Sequence, residues 1–155
     1  MKKKGTKAVA TNRRAGRDYI MLEKFVAGIV LTGTEIKSVR GGKVTLQGGF
    51  VQVKSGELYL FDVHIAPYER AGHQAHDPTR PRKLLLHRRE IRKIMDDLAT
   101  KGLTMVPTKM FLKDGWAKVE IALARGKKKY DKRAEIAKRD AERRVERALS
   151  EKYKS

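Results

Sequence analysis

The chain of 155 residues carries 37 Lys+Arg against 18 Asp+Glu, a formal net charge of +19, with no cysteine. An excess of that size goes beyond what solubility needs and points to a polyanionic partner, while the missing thiols exclude disulfides, a thiolate nucleophile and a zinc-finger framework and suit a reducing cytoplasm. No apolar signal segment opens the chain and no window approaches the ~18 to 20 apolar residues of a membrane span, so a cytoplasmic protein without membrane attachment is expected.

In chain order, residues 1–17 read as a basic N-terminal arm: up to Asp18 there are seven basic residues and one acidic. From Asp18, DYIMLEKFVAGIVLTG is rich in β-branched and aromatic residues and predicts one long strand or two short ones, with Gly28 as a possible bend. LTGTEIKSVRGG follows, with Thr32 and Glu35 at capping-box spacing and Gly41-Gly42 at the end, which predicts a two-turn helix. GGFVQVKSGELYLFDVHIAPY holds two apolar runs around Ser55-Gly56, a hairpin signal, with Pro67 ending the second run. ERAGHQAHDPTRPR reads as a loop.

HRREIRKIMDDLATKG places Ile91, Ile94, Met95, Leu98 and Ala99 on one helical stripe, with Gly102 where a C-terminal glycine belongs. TMVPTKMFLKDGWAKVEIALARG gives two strands around Asp114-Gly115, with Ala117, Val119, Ile121 and Leu123 alternating against Lys118 and Glu120. The span 18–125 is therefore one compact body, mainly β with two or three helices. About six short antiparallel strands favour a small closed barrel over an open sheet, because closure removes exposed edges. Residues 126–155 form a basic tail whose helical stripe, Ala134, Ala137, Ala141, Val145, Ala148 and Leu149, is mostly alanine. Such a stripe offsets too little of the ~1 to 2 kcal/mol of backbone entropy per ordered residue, so the free tail is expected to be disordered or a fraying helix and to order against an anionic surface, although a solubilising tail or a solvated surface helix fits the same composition.

Chemical signatures are sparse. There is no phosphate-binding G-x-x-x-x-G-K-[ST] loop, no dinucleotide fingerprint and no H-E-x-x-H. His73, His76 and Asp77 in GHQAHDPTR lack the spaced partners of a metal site, and no metal or other cofactor is expected. The basic residues say more. Arg88 and Arg89 precede Asp96 and Asp97 on the predicted long helix, against the macrodipole; Arg92 with Asp96 and Lys93 with Asp97 also fit exposed i,i+4 pairs. Lys37, Arg40 and Lys43 around the short helix face either RNA or water, and Arg80, Arg82 and Lys83 in an extended loop resemble a phosphate-tracking strip. Neither an RNP1 pattern, a KH-type clamp nor helix-turn-helix spacing is present, so composition and pattern lead to a small barrel-like polyanion binder with flexible basic arms.

Whole phrases narrow this further. NRRAGRDY, AGIVLTGTEIKSVRGGKV, HDPTRPRKLLLHRREI and KGLTMVPTKMFLKDGWAKVEIALARGKKKYDKR together, from about Asn12 through Arg139, resemble the SsrA-binding protein (small protein B) family of bacterial trans-translation. The resemblance implies an OB-like antiparallel β-barrel with appended helices and no catalysis. It implies binding to the tRNA-like domain of tmRNA and delivery of that RNA, with elongation factor Tu and GTP, to a stalled 70S ribosome. There the tail would probe the 16S rRNA decoding centre and the empty mRNA channel, becoming helical. A ribosome-associated or ribosome-assembly protein holding rRNA is the runner-up; a phosphate-handling enzyme is third.

The resemblance also implies site residues. Asn12, with Arg13, Arg14 and Arg17, belongs to the family's N-terminal RNA-contacting phrase, and Leu85 and Lys118 match positions associated with the tRNA-like domain; Lys37, Arg40, Arg82 and Lys83 are further candidates. Gly126, Lys127, Lys128, Tyr130 and Asp131-Lys132-Arg133 match the hinge and start of the tail, with Lys138 and Arg139 nearby. Where many members read Glu-Ala-Gly and use the acid in RNA binding, this chain has Val26-Ala27-Gly28. Arg17 stands where members usually have His and Tyr130 where some do, and Ala137 replaces a common lysine.

Overall fold

The computed structural model describes residues 5–68, 76–127, 143–145 and 147. The chain divides into two units, Met1–Arg125 and Gly126–Ser155. Along the described chain the elements are β1 (Thr6–Thr11), α1 (Arg13–Asp18), β2 (Tyr19–Ile29), α2 (Gly33–Arg40), β3 (Val44–Thr45), β4 (Phe50–Lys54), β5 (Glu57–Phe61), β6 (His64–Ile65), β7 (Arg82–Leu85), α3 (Arg88–Lys101), β8 (Thr104–Lys113) and β9 (Trp116–Gly126). Of the second unit, 143–145 and 147 are helical. For 128–142, 146 and 148–155 the expectation of a tail disordered when free falls outside the described residues.

Two hairpins seed the sheet. β4 and β5 turn at Ser55 (φ 53°) and Gly56 (φ 74°), and β8 and β9 turn at Asp114 (φ 52°) and Gly115 (φ 85°). Both central residues of each turn are left-handed, the geometry that matches the right-handed twist of the flanking strands and selects Asp-Gly and Ser-Gly type sequences. β5 ends at Phe61, earlier than Pro67; Asp62 (φ 57°) breaks the run, and His64–Ile65 pairs instead with β3.

The main sheet has seven strands in the order β1-β8-β9-β2-β7-β5-β4, with β3 and β6 forming a separate ribbon. It is antiparallel and strand-dominated, as expected, but it is an open sheet and not a closed barrel, and it has more strands than the six expected. β4 lies against β8 without pairing with it. At this half of β8, Pro107 has no N–H to give, the register shifts between Pro107 and Lys109, and the Pro107 carbonyl accepts from the Asn12 side chain. The extra edge strand comes from the segment expected to be a free arm. Thr6–Thr11 pairs with Lys113–Lys109 of β8, itself with a register shift between Ala8 and Ala10.

The core follows the period of each element. Phe25, Ala27 and Ile29 of β2 and Ala117, Val119, Ile121 and Leu123 of β9 point inward with Leu58, Leu60, Leu84, Met105 and Met110. Ile91 and Ile94 of α3 are buried against this cluster, Met95 and Leu98 pack at its margin, and Ala99 remains exposed. Gly102 caps α3 in the left-handed conformation (φ 60°). A smaller cluster of Ala15, Val106 and Ala124, with Tyr19 and Met21, seats α1 on the sheet. Gly49, buried just before β4, allows the closest approach of all: a Cβ there would stand 2.6 Å from Val63 Cγ2, 3.0 Å from the Leu46 carbonyl oxygen and 3.2 Å from Pro107 Cγ.

Candidate nucleic-acid interface

The charged residues fall into two populations, and α2 shows why. Its capping box forms as the sequence predicts: the Glu35 amide donates to Thr32 Oγ1 (3.3 Å) and the Thr32 amide to Glu35 Oε1 (2.8 Å). This fixes a carboxylate that is 0% exposed, and Arg80 and Arg82 converge on it, Nη2 of Arg80 on Oε1 and Nε of Arg82 on Oε2, each at 2.5 Å. Arg82 also donates to the carbonyls of Val63 (2.8 Å) and Pro78 (3.1 Å). Burial pushes the Glu35 carboxyl up, but the hydrogen bonds from Arg80, the Thr32 amide and Arg82 outweigh it and hold the group below its ordinary value. Burial draws the Arg82 guanidinium down, with Glu35 opposing.

This cluster corrects one candidate. Arg82 lies in β7, not in an extended loop, and its side chain has no exposure with which to meet a phosphate. Asn12 is likewise committed inward. It is 7% exposed, its Oδ1 caps α1 by accepting from the Ala15 amide (3.1 Å), and its Nδ2 donates to the carbonyls of Pro107 (2.9 Å) and Leu46 (3.4 Å). Both residues fix the surface that others present.

His76 is occupied too: its Nε2 is 2.9 Å from the Ile65 carbonyl, which accepts, and its Nδ1 is 2.9 Å from Thr34 Oγ1. His73 lies outside the described residues, and among the described residues no group of His, Cys, Asp and Glu side chains is arranged to hold a metal.

The second population is exposed. Arg13, Arg14 and Arg17 stand on α1, with Arg14 Nε 3.6 Å from Asp18. Lys37 lies 5.1 Å from the centre of the Tyr68 ring, and Arg40 is exposed at the end of α2. On the outer face of the sheet, the registers Tyr59↔Lys83 and Gly28↔Leu85 place Lys83 beside an aromatic ring and lay Leu85 over the glycine. Val26 follows on the same face of β2, so Val26 (53% exposed) and Leu85 (51% exposed) form one apolar patch flanked by Lys24 and Lys83. Lys118 is half-buried on β9 opposite Phe111, whose ring Lys109 approaches at 5.9 Å.

α3 supplies cations that the sequence singled out without assigning. Lys93 bonds Glu23 (2.9 Å) and Asp97 (3.2 Å), and Lys101 reaches Asp97 (3.4 Å). The pair Arg92 with Asp96 does not form; Arg88, Arg89 and Arg92 are exposed and make no ion pair among the described residues. Three free guanidiniums at the positive end of a helix gain nothing from the macrodipole. Gly126 ends β9 and Lys127 follows it, while Lys128, Tyr130, Asp131, Lys132, Arg133, Lys138 and Arg139 lie outside the described residues. Among the described residues no helix is long and apolar enough to cross a membrane.

An antiparallel sheet with cations and exposed aromatic and aliphatic side chains on its surface, in a chain of net charge +19, defines a polyanion-binding β-domain. The family model for the SmpB protein matches residues 9–151. The SsrA-binding protein of Roseiflexus castenholzii is 56% identical over 147 residues, 94% of this chain and 93% of its own; that of Carboxydothermus hydrogenoformans is 52% identical, covering 95% and 99%. A chain of a solved structure described as "tmRNA-SmpB: a journey to the center of the bacterial ribosome" superposes with a TM-score of 0.65 at 50% identity, covering 77% of this chain and 85% of that one. The chain belongs to the SmpB family.

Proposed function

We propose that this chain is an RNA-binding adaptor of trans-translation, which binds the tRNA-like domain of tmRNA and brings it, with elongation factor Tu and GTP, to stalled ribosomes in the cytoplasm. The observation that carries the reading is the 56% identity over 94% of the chain to a relative named SsrA-binding protein. The surface agrees with it: exposed arginines on α1 and α3 meet backbone phosphate, and the Val26–Leu85 patch with Lys83 meets sugar and base. Val26 offers no acid, so on this surface apolar contact takes the place of a carboxylate's hydrogen bond. The chain acts by binding and has no part in covalent chemistry. Residues 126–155 then serve as the probe of the decoding centre and the vacant mRNA channel.

The RNA that copurifies with the protein from its native host tests the reading directly. Recovery of tmRNA, and retention of a tRNA-like RNA over bulk rRNA at salt that suppresses nonspecific phosphate binding, is the expected result. Equal retention of rRNA would favour the ribosome-assembly reading. Truncation after Tyr130 is expected to leave tmRNA binding nearly intact and abolish tagging of stalled peptides; loss of both together would remove the division between body and tail.

A further inference from the structure

The described body contains a groove of about 870 Å³ between the β8–β9 turn and α2, lined by neither Val26 nor Leu85. Its floor is apolar, built by Leu31, Ile36 and Leu112, and Trp116 stands at its margin. That residue is 74% exposed, the most exposed of the large hydrophobic side chains described. The adjoining turn is set by Asp114 and Gly115 and gains nothing from an indole in solvent. Lys7 and Arg40 complete the rim, both exposed and without an ion pair among the described residues. The acid at the rim, Asp114, already accepts from the Gly5 amide at 3.0 Å.

We infer that this groove clasps an unstacked nucleobase of RNA, with the Trp116 indole as stacking surface and Lys7 and Arg40 on the flanking phosphates. The volume falls within the range of small-ligand sites, about 300 to 1,000 Å³. A rigid aromatic plane beside cations is what an aromatic anion requires, and single-stranded loops are recognised through such splayed bases. An apolar floor also suits an aliphatic peptide, but the cationic rim and the charge of +19 favour the anionic occupant. The inference stands on the groove itself and extends the RNA-binding reading to a second contact.

Trp116 is the only tryptophan in the chain, so its fluorescence reports on the groove alone. Titration of the full-length protein with a mixed-sequence single-stranded hexaribonucleotide is expected to quench it, whereas a polyphosphate of equal charge is not. By labelled-RNA anisotropy, Trp116→Ala is expected to weaken hexamer binding about tenfold with an unchanged salt slope, and Trp116→Phe to retain most of the affinity. Arg40→Ala is expected to lower the slope by about one. Equal quenching by polyphosphate, no quenching by RNA, or wild-type affinity in Trp116→Ala with an unaltered melting curve would each overturn the inference. Selective retention of tRNA-like RNA by the wild-type protein is measured separately, so failure of the groove and failure of the tmRNA reading give different results.

Discussion

Arg82 on β7 is fully buried with Glu35 and two carbonyls as acceptors, whereas Arg88, Arg89 and Arg92, a few residues further on, are exposed on α3 with no ion pair. The two regions carry the same side chain toward opposite ends. In the buried cluster, desolvation makes each charge depend on its partner, and the guanidinium acts as a clamp joining α2, β7 and the 76–81 segment. On α3 the charge stays in water, contributes little to folding, and is free for a polyanion. What separates clamp from contact is the presence of a carboxylate that a distant segment brings into reach.

The contrast can be broken most severely at Glu35. Glu35→Gln leaves two guanidiniums without their counter-charge, one of them buried, and is expected to cost about 3 to 5 kcal/mol in a denaturant melt. A loss below about 1 kcal/mol would show that water reaches the cluster. The same pair predicts an acid limb. Because the Glu35 carboxyl sits below its ordinary value, its contribution is fully present above the unfolded glutamate value of about 4.3 and is lost as pH falls through the lower folded value. Melts of the wild type are therefore expected to show this loss below about pH 4, and melts of Glu35→Gln to lack it.

A smaller effect sharpens the comparison at Asn12. Asn12→Ala removes a helix cap and two buried hydrogen bonds and is expected to destabilise the body by roughly 2 kcal/mol without changing the salt slope of RNA binding. A fall in slope with unchanged stability would make Asn12 a direct contact. On α3 the prediction inverts: replacing Arg88, Arg89 and Arg92 with Ala is expected to leave stability within about 0.5 kcal/mol or raise it slightly. The same variant should lower the slope of log affinity against log salt by about two. An unaltered slope would mean that the triad faces only water. Lys118→Ala, a single half-buried amine, is expected to lower the slope by about one.

The difference between the regions also marks what the sequence could reveal. The α2 capping box, the two left-handed hairpin turns and the α3 stripe were legible because each is written within about a dozen consecutive residues. Arg82 was not, because its acid lies 47 residues earlier and only the fold brings it there. Thr6–Thr11 looked like an arm because TKAVAT has little hydrophobic signal; its status as a strand comes from β8, about a hundred residues on. Asn12 was singled out by family resemblance, yet its side chain is spent on Ala15, Pro107 and Leu46. Trp116 was missed although its position beside an Asp-Gly turn, with nothing apolar at the preceding alternate position, is itself a sign of an exposed ring.

Gly49 carries a consequence for how such a chain can change over time. With Val63, Leu46 and Pro107 crowding the space where any side chain would begin, the crossing of β4 over β8 tolerates a hydrogen atom and nothing larger. Drift can therefore redecorate the cationic exterior residue by residue, while this crossing admits no such drift unless several neighbours move in concert. Any lineage that loses the glycine is expected to show matching reductions at Val63 or Pro107, a signature that sequencing alone can find.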